Sequence, residues 1–449
     1  MEDTIVAIST AKGVGAISIV RLSGPKALLI ASKIFKGKDL TKVPSHTINH
    51  GYIIDEEKNV IDEVLVSVML APKTYTTEDI VEINTHGGIA STNKVLELCL
   101  VNGARLALPG EFTKRAFLNG RIDLTEAEAI EDVINSTTDK ALQLSINQLT
   151  GSLKKYIMEI RKDIMNLIAN IEVNIDYPEY EDAEDITLNV LKTKLLTIKD
   201  KLNNLLKKSE DAKIIKDGIN ICLIGRPNVG KSSLLNTFLE EDKAIVTNVA
   251  GTTRDSIEGS TILNGIKINF IDTAGIRNTT DEVEKIGVNK SKKILNEADL
   301  IILVLNNNEE LTLDDKELIE LVKSKNHIVF INKNDLPKKI NLTGENLVFG
   351  NTVNKNGIES LKEEIERMFN LEQISTNDAT YLTNARHKAL IKIAINSLDS
   401  ALVNIDKGYS VDMLEIDIRS CWDTLGEIIG ATYKDDLLDE LFSNFCLGK

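Results

Sequence analysis

Eight consecutive residues, Gly225-Arg226-Pro227-Asn228-Val229-Gly230-Lys231-Ser232, carry the spacing G-x-x-x-x-G-K-S between an apolar run at 219–224 and a helical stretch. Glycines so placed let successive backbone N–H groups close around phosphate oxygens. The lysine reaches the β- and γ-phosphates, and the following hydroxyl, Ser232, suits Mg²⁺. Ser233 carries the phosphate-facing run into the helix. Further on, Asp272-Thr273-Ala274-Gly275 closes the apolar run 266–271. There Asp272 is placed to hold a metal-bound water and the Gly275 N–H to meet the γ-phosphate. Two phosphate-sensing elements in one α/β pattern predict a nucleoside triphosphate hydrolase, with Lys231 and Gly275 stabilising the transferred phosphoryl group.

The choice of base follows from Asn332-Lys333-Asn334-Asp335, directly after the apolar run 327–331. The Asp335 carboxylate accepts from guanine N1–H and N2–H₂ together. Adenine offers an acceptor and no exocyclic amine there, which leaves a buried charge without a partner. The chemistry expected is therefore hydrolysis of GTP to GDP. Between the phosphate loop and Asp272 lies Ala250-Gly251-Thr252-Thr253, where a loop can offer the Thr253 hydroxyl as a second Mg²⁺ ligand. The residue after Gly275 is Ile276, at the place where Ras-like enzymes carry a water-orienting glutamine. Isoleucine aims no water, so a substitute is required. The acidic stretch Asp281-Glu282-Val283-Glu284 stands just downstream, either as that substitute or as an ordinary solvated loop.

To position these residues the chain needs a parallel α/β unit. Apolar segments at 219–224, 266–271, 300–305 and 327–331 are spaced as strands separated by helices, which places an inserted G domain at 213–375. On its N-terminal side the period is helical. Leu153, Ile157, Ile160, Ile164, Leu167 and Ile171 form one stripe, and Leu188, Leu191, Leu195, Ile198, Leu202 and Leu205 form another, read as an antiparallel helical pair. The helical period returns at Ile391, Ile395, Leu398, Leu402 and Ile405 and again over 418–429. The pieces at 119–212 and 376–449 read most economically as one discontinuous helical domain; the alternative is two unrelated helical segments. Residues 1–118 alternate β-branched runs, at 4–8, 16–22, 64–70 and 80–84, with helical stretches and predict an α+β domain.

The bulk properties agree with a multidomain soluble protein. At 449 residues the chain is too long for one ordinary core, and 42% hydrophobic with 27% charged residues argues against disorder. A formal charge of −15 excludes coating of nucleic acid by charge alone, though not a local basic patch. Cys99, Cys222, Cys421 and Cys446 form no Cys-x-x-Cys pair, and the five histidines have no metal-ligand spacing. With no basic leader and no run of 18 apolar residues, a cytoplasmic location without membrane contact is expected.

Asn228, the segment Gly251-Thr252-Thr253-Arg254-Asp255, Ile276, the layout over the whole chain and the closing Cys446-Leu447-Gly448-Lys449 together resemble the MnmE, or TrmE, family of tRNA modification GTPases. The resemblance implies an N-terminal folate-binding domain that mediates homodimerisation, a discontinuous helical domain and an inserted G domain. It implies K⁺-dependent hydrolysis, with K⁺ held by Asn228 and by oxygens of Thr247, Val249 and Thr252. Thr247, Asn248, Val249, Ala250, Gly251 and Thr252 would line the nucleotide, and Glu284 would position the attacking water. Arg21, Glu82, Arg121 and Lys449 match contacts to 5-formyltetrahydrofolate. The family acts with the FAD-containing protein MnmG, as a heterotetramer, on wobble uridine of certain tRNAs. The product is aminomethylated or carboxymethylaminomethylated at C5, with a folate-derived one-carbon unit.

Cys446 is either a working thiol or a small buried side chain. Two places depart from the family pattern: Asn351-Thr352-Val353 stands where Ser-Ala-Lys or Ser-Ala-Arg usually meets guanine, and Leu447 where isoleucine is usual. The rival class is a ribosome-assembly GTPase switch of the Era or Der type. Such a protein shares the G-domain motifs but should carry a basic KH-like RNA module, and no G-x-x-G loop with such surroundings occurs here.

Overall fold

The computed structural model of the chain describes residues 3–176, 188–241, 257–271, 295–344, 346–372, 374, 381–433, 435–443 and 445–449. It divides into two compact units. One comprises Met1–Glu131, Gln148–Lys199 and Ala389–Lys449, the other Asp132–Asn147 and Asp200–Lys388.

The first unit is built on a seven-stranded sheet of β1 (Ile5–Ile8), β2 (Ile17–Ser23), β3 (Phe35–Lys36), β4 (Thr47–Ile54), β5 (Val60–Met69), β6 (Ile80–His86) and β7 (Arg105–Leu106), in the order β3-β4-β5-β6-β2-β1-β7. All its pairings are antiparallel except β1 with β7. Alternation of buried and exposed side chains along β4 and β5 shows a sheet covered on one face. The covering helices are α1 (Ala27–Ile34) and α2 (Ile89–Val101), whose Ile30, Ile34, Val95 and Leu98 join Val20, Leu22, Val66 and Ile83 in one core. The sequence reading lacked β4 and the two-residue strands β3 and β7. In β4 the polar residues Thr47, Asn49 and His50 blur the apolar alternation that marks its neighbours.

Helix α3 (Glu111–Leu118) is held by an ion cluster around one buried arginine. Arg115 is fully buried and meets Asp3 at 2.8 Å, Glu111 at 3.1 Å and Glu78 at 3.2 Å, while Arg105 reaches Glu111 at 2.6 Å. Burial pushes the Glu111 carboxyl up, but its bonds from Arg105, the Leu108 N–H and Arg115 outweigh that and hold it below the usual carboxylate range. Then come α4 (Leu124–Asn135), α5 (Asp139–Leu149), α6 (Ser152–Asp176) and α7 (Leu188–Asp217). The stripe from Leu153 to Ile171 is buried, as its period requires. Near the end of the chain, α6 packs against α12 (Val411–Ile428), where the guanidinium of Arg161 lies 3.9 Å from the centre of the Trp422 ring and its Nε donates to the Trp422 carbonyl.

The second unit carries a six-stranded sheet of β8 (Ile219–Ile224), β9 (Ile257–Leu263), β10 (Ile266–Ile271), β11 (Leu300–Asn306), β12 (His327–Asn332) and β13 (Leu347–Phe349), ordered β13-β12-β11-β8-β10-β9. Five strands are parallel, and β9 joins β10 antiparallel at the edge. Strand β11 is buried at every position, as expected of a central parallel strand covered on both faces. Helices α8 (Lys231–Glu241), α9 (Leu313–Val322) and α10 (Ile358–Phe369) belong to this unit. Truncating a large buried aliphatic side chain such as Leu303 to alanine costs about 2–5 kcal/mol. The remaining helices are α11 (Ala385–Asp406) and α13 (Asp435–Ser443). No helix among the described residues is long and apolar enough to cross a membrane.

Candidate functional site

Strand β8 delivers the phosphate loop and α8 leaves it, the strand–loop–helix setting the motif requires. Two of its glycines are fixed by contact as well as by conformation. Gly225 has φ +146° and a Cβ there would lie 2.4 Å from the Val304 carbonyl oxygen; Gly230 has φ +105° and a Cβ would lie 2.1 Å from Nδ2 of Asn332. Asn228 itself adopts φ 63°, a left-handed conformation that asparagine tolerates better than most residues. Lys231 folds back over the loop, its Nζ donating to the carbonyls of Gly225 (2.6 Å) and Arg226 (2.8 Å). Ser232 and Ser233 are exposed beside it, and Val229 is buried. Arg226 ties the loop to α9 through Asp315 (2.9 Å) and to the turn after β11 through Glu309 (2.7 Å).

Asn332, at the end of β12, joins three segments. Its Nδ2 donates to the Val229 carbonyl (2.8 Å) and to the Thr352 hydroxyl (3.3 Å), while its Oδ1 accepts from the N–H of Lys333 (2.8 Å) and of Thr352 (3.1 Å). Lys333 turns at φ 61° and places its Nζ 3.3 Å from the Asn228 carbonyl. Asp335, which the sequence assigns to the base, is exposed. The divergent segment Asn351-Thr352-Val353 keeps a closed geometry of its own. The Asn351 side chain accepts from the Val353 N–H (2.8 Å), and Thr352 donates its N–H to Asn332 Oδ1 while its hydroxyl oxygen accepts from Asn332 Nδ2. The structure therefore brings together Asn228, Val229, Gly230, Lys231, Ser232, Asn332 and Lys333. Thr247, Asn248, Val249, Ala250, Gly251, Thr252, Thr253, Asp272, Thr273, Ala274, Gly275 and Glu284 lie outside the described residues.

A second constellation forms in the first unit. Arg21 on β2 stands opposite Glu82 on β6 in the sheet register, with Nε 2.8 Å from Oε1. The same guanidinium lies 5.6 Å from the centre of the Phe112 ring and 5.9 Å from that of Tyr75, and its Nη1 is 3.4 Å from the Gly448 carbonyl oxygen. Arg121 approaches Tyr75 as well, 4.9 Å above its ring, and donates to its carbonyl at 3.1 Å. The Tyr75 hydroxyl bonds to Thr113 at 2.9 Å.

The tail reaches this place because Phe442 and Phe445 are buried with Phe117, Leu124 and Leu438 in one cluster. Its last residues then lie against the end of β1 and the start of α3. The Ser9 hydroxyl donates to the Gly448 carbonyl (3.1 Å), and the N–H groups of Phe112 and Gly110 donate to the carbonyls of Lys449 (3.2 Å) and Cys446 (3.4 Å). Gly448 has φ +89°, and a Cβ there would stand 2.5 Å from the Ile8 carbonyl oxygen, so the glycine of the tail is required by close approach. Burial, and then the positive charge of Arg21, push the Lys449 ammonium down from its usual range. Cys446 is exposed. Thus Arg21, Glu82, Arg121 and Lys449 gather round one region. Ser9, Tyr75 and Phe112 belong to it too, and none of the three stands in a motif that sequence reasoning could have used.

The model described as the TrmE N-terminus of a GTP-binding protein matches residues 4–121, and that of the MnmE helical domain matches residues 124–446. A tRNA modification GTPase MnmE of Streptococcus agalactiae serotype III (strain NEM316) is 53% identical over 452 residues, covering 100% of this chain and 98% of the relative. The namesake from Ligilactobacillus salivarius (strain UCC118) is 52% identical over 455 residues with the same coverage. The chain belongs to the MnmE family of tRNA modification GTPases. Among solved structures, the G domain of the T. maritima FeoB iron transporter is 28% identical, with TM-score 0.25, covering 33% of this chain and 97% of that one. Aquifex aeolicus Era is 26% identical, with TM-score 0.27, over 40% of this chain and 66% of that one; likenesses of this size do not bear on function. As a member of the MnmE family the chain is a P-loop GTPase, in keeping with the phosphate loop that Asn332 braces.

Proposed function

We propose that the chain hydrolyses GTP with Mg²⁺ to drive modification of tRNA. More specifically, it would act with the FAD-containing MnmG, in a heterotetramer built on its own homodimer, to modify wobble uridine at C5 with a folate-derived one-carbon unit. The observation that carries this reading is end-to-end identity above half with relatives named tRNA modification GTPase MnmE. The arrangement is read as an N-terminal domain at 1–118, a helical domain at 119–212 and 376–449, and an inserted G domain at 213–375. A ribosome-assembly switch of the Era or Der type would share only the last of these, and the match of residues 4–121 to the TrmE N-terminus favours modification.

In the G domain, Lys231 and Gly275 stabilise the phosphoryl group, Ser232 and Thr253 hold Mg²⁺, and Asp335 selects guanine. Asn228, with Thr247, Val249 and Thr252, holds K⁺, which supplies positive charge to the phosphates, and Glu284 orients water. Equal turnover in KCl and NaCl at matched ionic strength would remove the potassium assignment.

In the first unit, the donor set fits a reduced folate. Glu82 commits one carboxylate oxygen to Arg21, and its other oxygen has no partner among the described residues, so it is placed to accept from the N–H edge of a pterin. Arg121 and Lys449 supply positive charge for the carboxylates of 5-formyltetrahydrofolate. Cys446 stands exposed beside them. The test is nucleoside analysis of total tRNA from a strain lacking this gene. Loss of C5-modified wobble uridine, restored by the cloned gene, is expected; an unchanged nucleoside profile would overturn the reading.

A further inference from the structure

Next to the Arg21–Glu82 pair, on the other arginine of the Tyr75 ring, the surface opens into a cavity of about 480 Å³ whose lining includes Met69, Lys73, Thr74, Tyr75, Asn119 and Arg121. In a chain of formal charge −15, two cations and no carboxylate line this space. The carboxylates next in sequence are engaged elsewhere: Glu78 bonds to Arg115 and Ser23, and Asp79 accepts from the Ala71 N–H. Lys73 is exposed and has no partner among the described residues. Arg121 anchors one edge on the Tyr75 carbonyl and leaves its remaining N–H groups without a partner among those residues. The walls are fixed by bonds to backbone, from Thr74 Oγ1 to the Glu78 carbonyl and from Asn119 Nδ2 to the Thr76 carbonyl, both 2.6 Å.

We propose that this cavity is a subsite for an oligo-γ-glutamate tail, in which Lys73 and Arg121 receive the carboxylates of a folate that carries more than one glutamate. The inference rests on the folate reading above and deepens it from a ligand class to a form of that ligand. Continuity comes from Tyr75, whose ring faces Arg21 on the pterin side and Arg121 at the cavity. The two cations reward each added carboxylate modestly, because both are solvent-exposed. The expected preference is therefore a matter of several-fold, and it should weaken with salt.

Calorimetry on the full chain at low ionic strength, with 5-formyltetrahydrofolate as the monoglutamate and as the triglutamate, reads this directly. The triglutamate should bind about five- to tenfold more tightly. In Lys73→Met the ratio should fall at least twofold toward one, and in Lys73→Arg it should remain. Because Lys73 is exposed, neither change threatens the fold. Equal, measurable affinity for the two ligands in the wild type would overturn the subsite and leave the folate reading standing. Absence of binding by both would instead remove the folate reading itself. A Lys73→Met chain that keeps the glutamate preference but binds tRNA more weakly would also overturn the proposal, since the cations would then serve phosphates.

Discussion

The two constellations of this molecule are built in opposite ways. The phosphate loop is one continuous stretch between β8 and α8, and most of what it offers a ligand is backbone, shaped by Gly225 and Gly230 and braced by Asn332. The tail-and-sheet cluster is assembled from β2, β6, the segment around Tyr75, the start of α3 and the last four residues, and most of what it offers is side-chain charge. A site of the first kind tolerates no change at its glycines and depends on the rest of the chain only through a few braces such as Asn332. The second depends on the docking of a distant segment, and can therefore be lost without touching any residue that meets the ligand.

The largest effect expected from this contrast is at Gly230. A methyl group would sit 2.1 Å from Asn332 Nδ2 at a backbone angle of φ +105°, so Gly230→Ala should weaken guanine nucleotide binding about 100-fold or more, in line with strain of roughly 1–3 kcal/mol together with loss of the Asn332 brace. Fluorescent GDP titration measures it, and 5-formyltetrahydrofolate binding should be unaffected. Gly448→Ala is the counterpart. With Ile8 O only 2.5 Å from the new Cβ, the tail must lift, and folate affinity should fall about tenfold while GTP hydrolysis is kept. A fall in both activities would mean that the two constellations are not built independently.

The smallest effect sharpens the comparison inside the nucleotide site. Thr352→Ala removes the hydroxyl bond to Asn332 at 3.3 Å but keeps the backbone N–H bond, so GTP affinity should fall about threefold, the size of one modest neutral hydrogen bond. Selectivity for GTP over ATP, which the proposal assigns to Asp335, should not change. If selectivity also falls, the divergent segment contributes to base choice.

These differences in construction also explain what could be read from the sequence. The four strands β8, β10, β11 and β12 announce themselves as unbroken apolar runs because they are covered on both faces, and the loop residues that depend on them follow a fixed spacing. Edge strand β9 and strand β4 escaped because Gly259, Ser260 and Thr261 in one, and Asn49 and His50 in the other, interrupt the pattern. For the tail-and-sheet cluster, Arg21, Glu82, Arg121 and Lys449 could be named only through family resemblance, since isolated charges have no period. Tyr75, Ser9 and Lys73 left no trace at all, because a tyrosine shared by two arginines is a property of the folded sheet and not of any spacing.

The central claim is that both constellations serve one tRNA-modifying activity. It is tested most directly by measuring C5-modified wobble uridine in total tRNA from a deletion strain that expresses the wild-type chain, Gly230→Ala or Gly448→Ala. The account predicts full modification with the wild type and a marked deficit with each variant, although each variant keeps the binding function of the other site. Normal levels of the modified nucleoside with either variant, at equal expression, would contradict it.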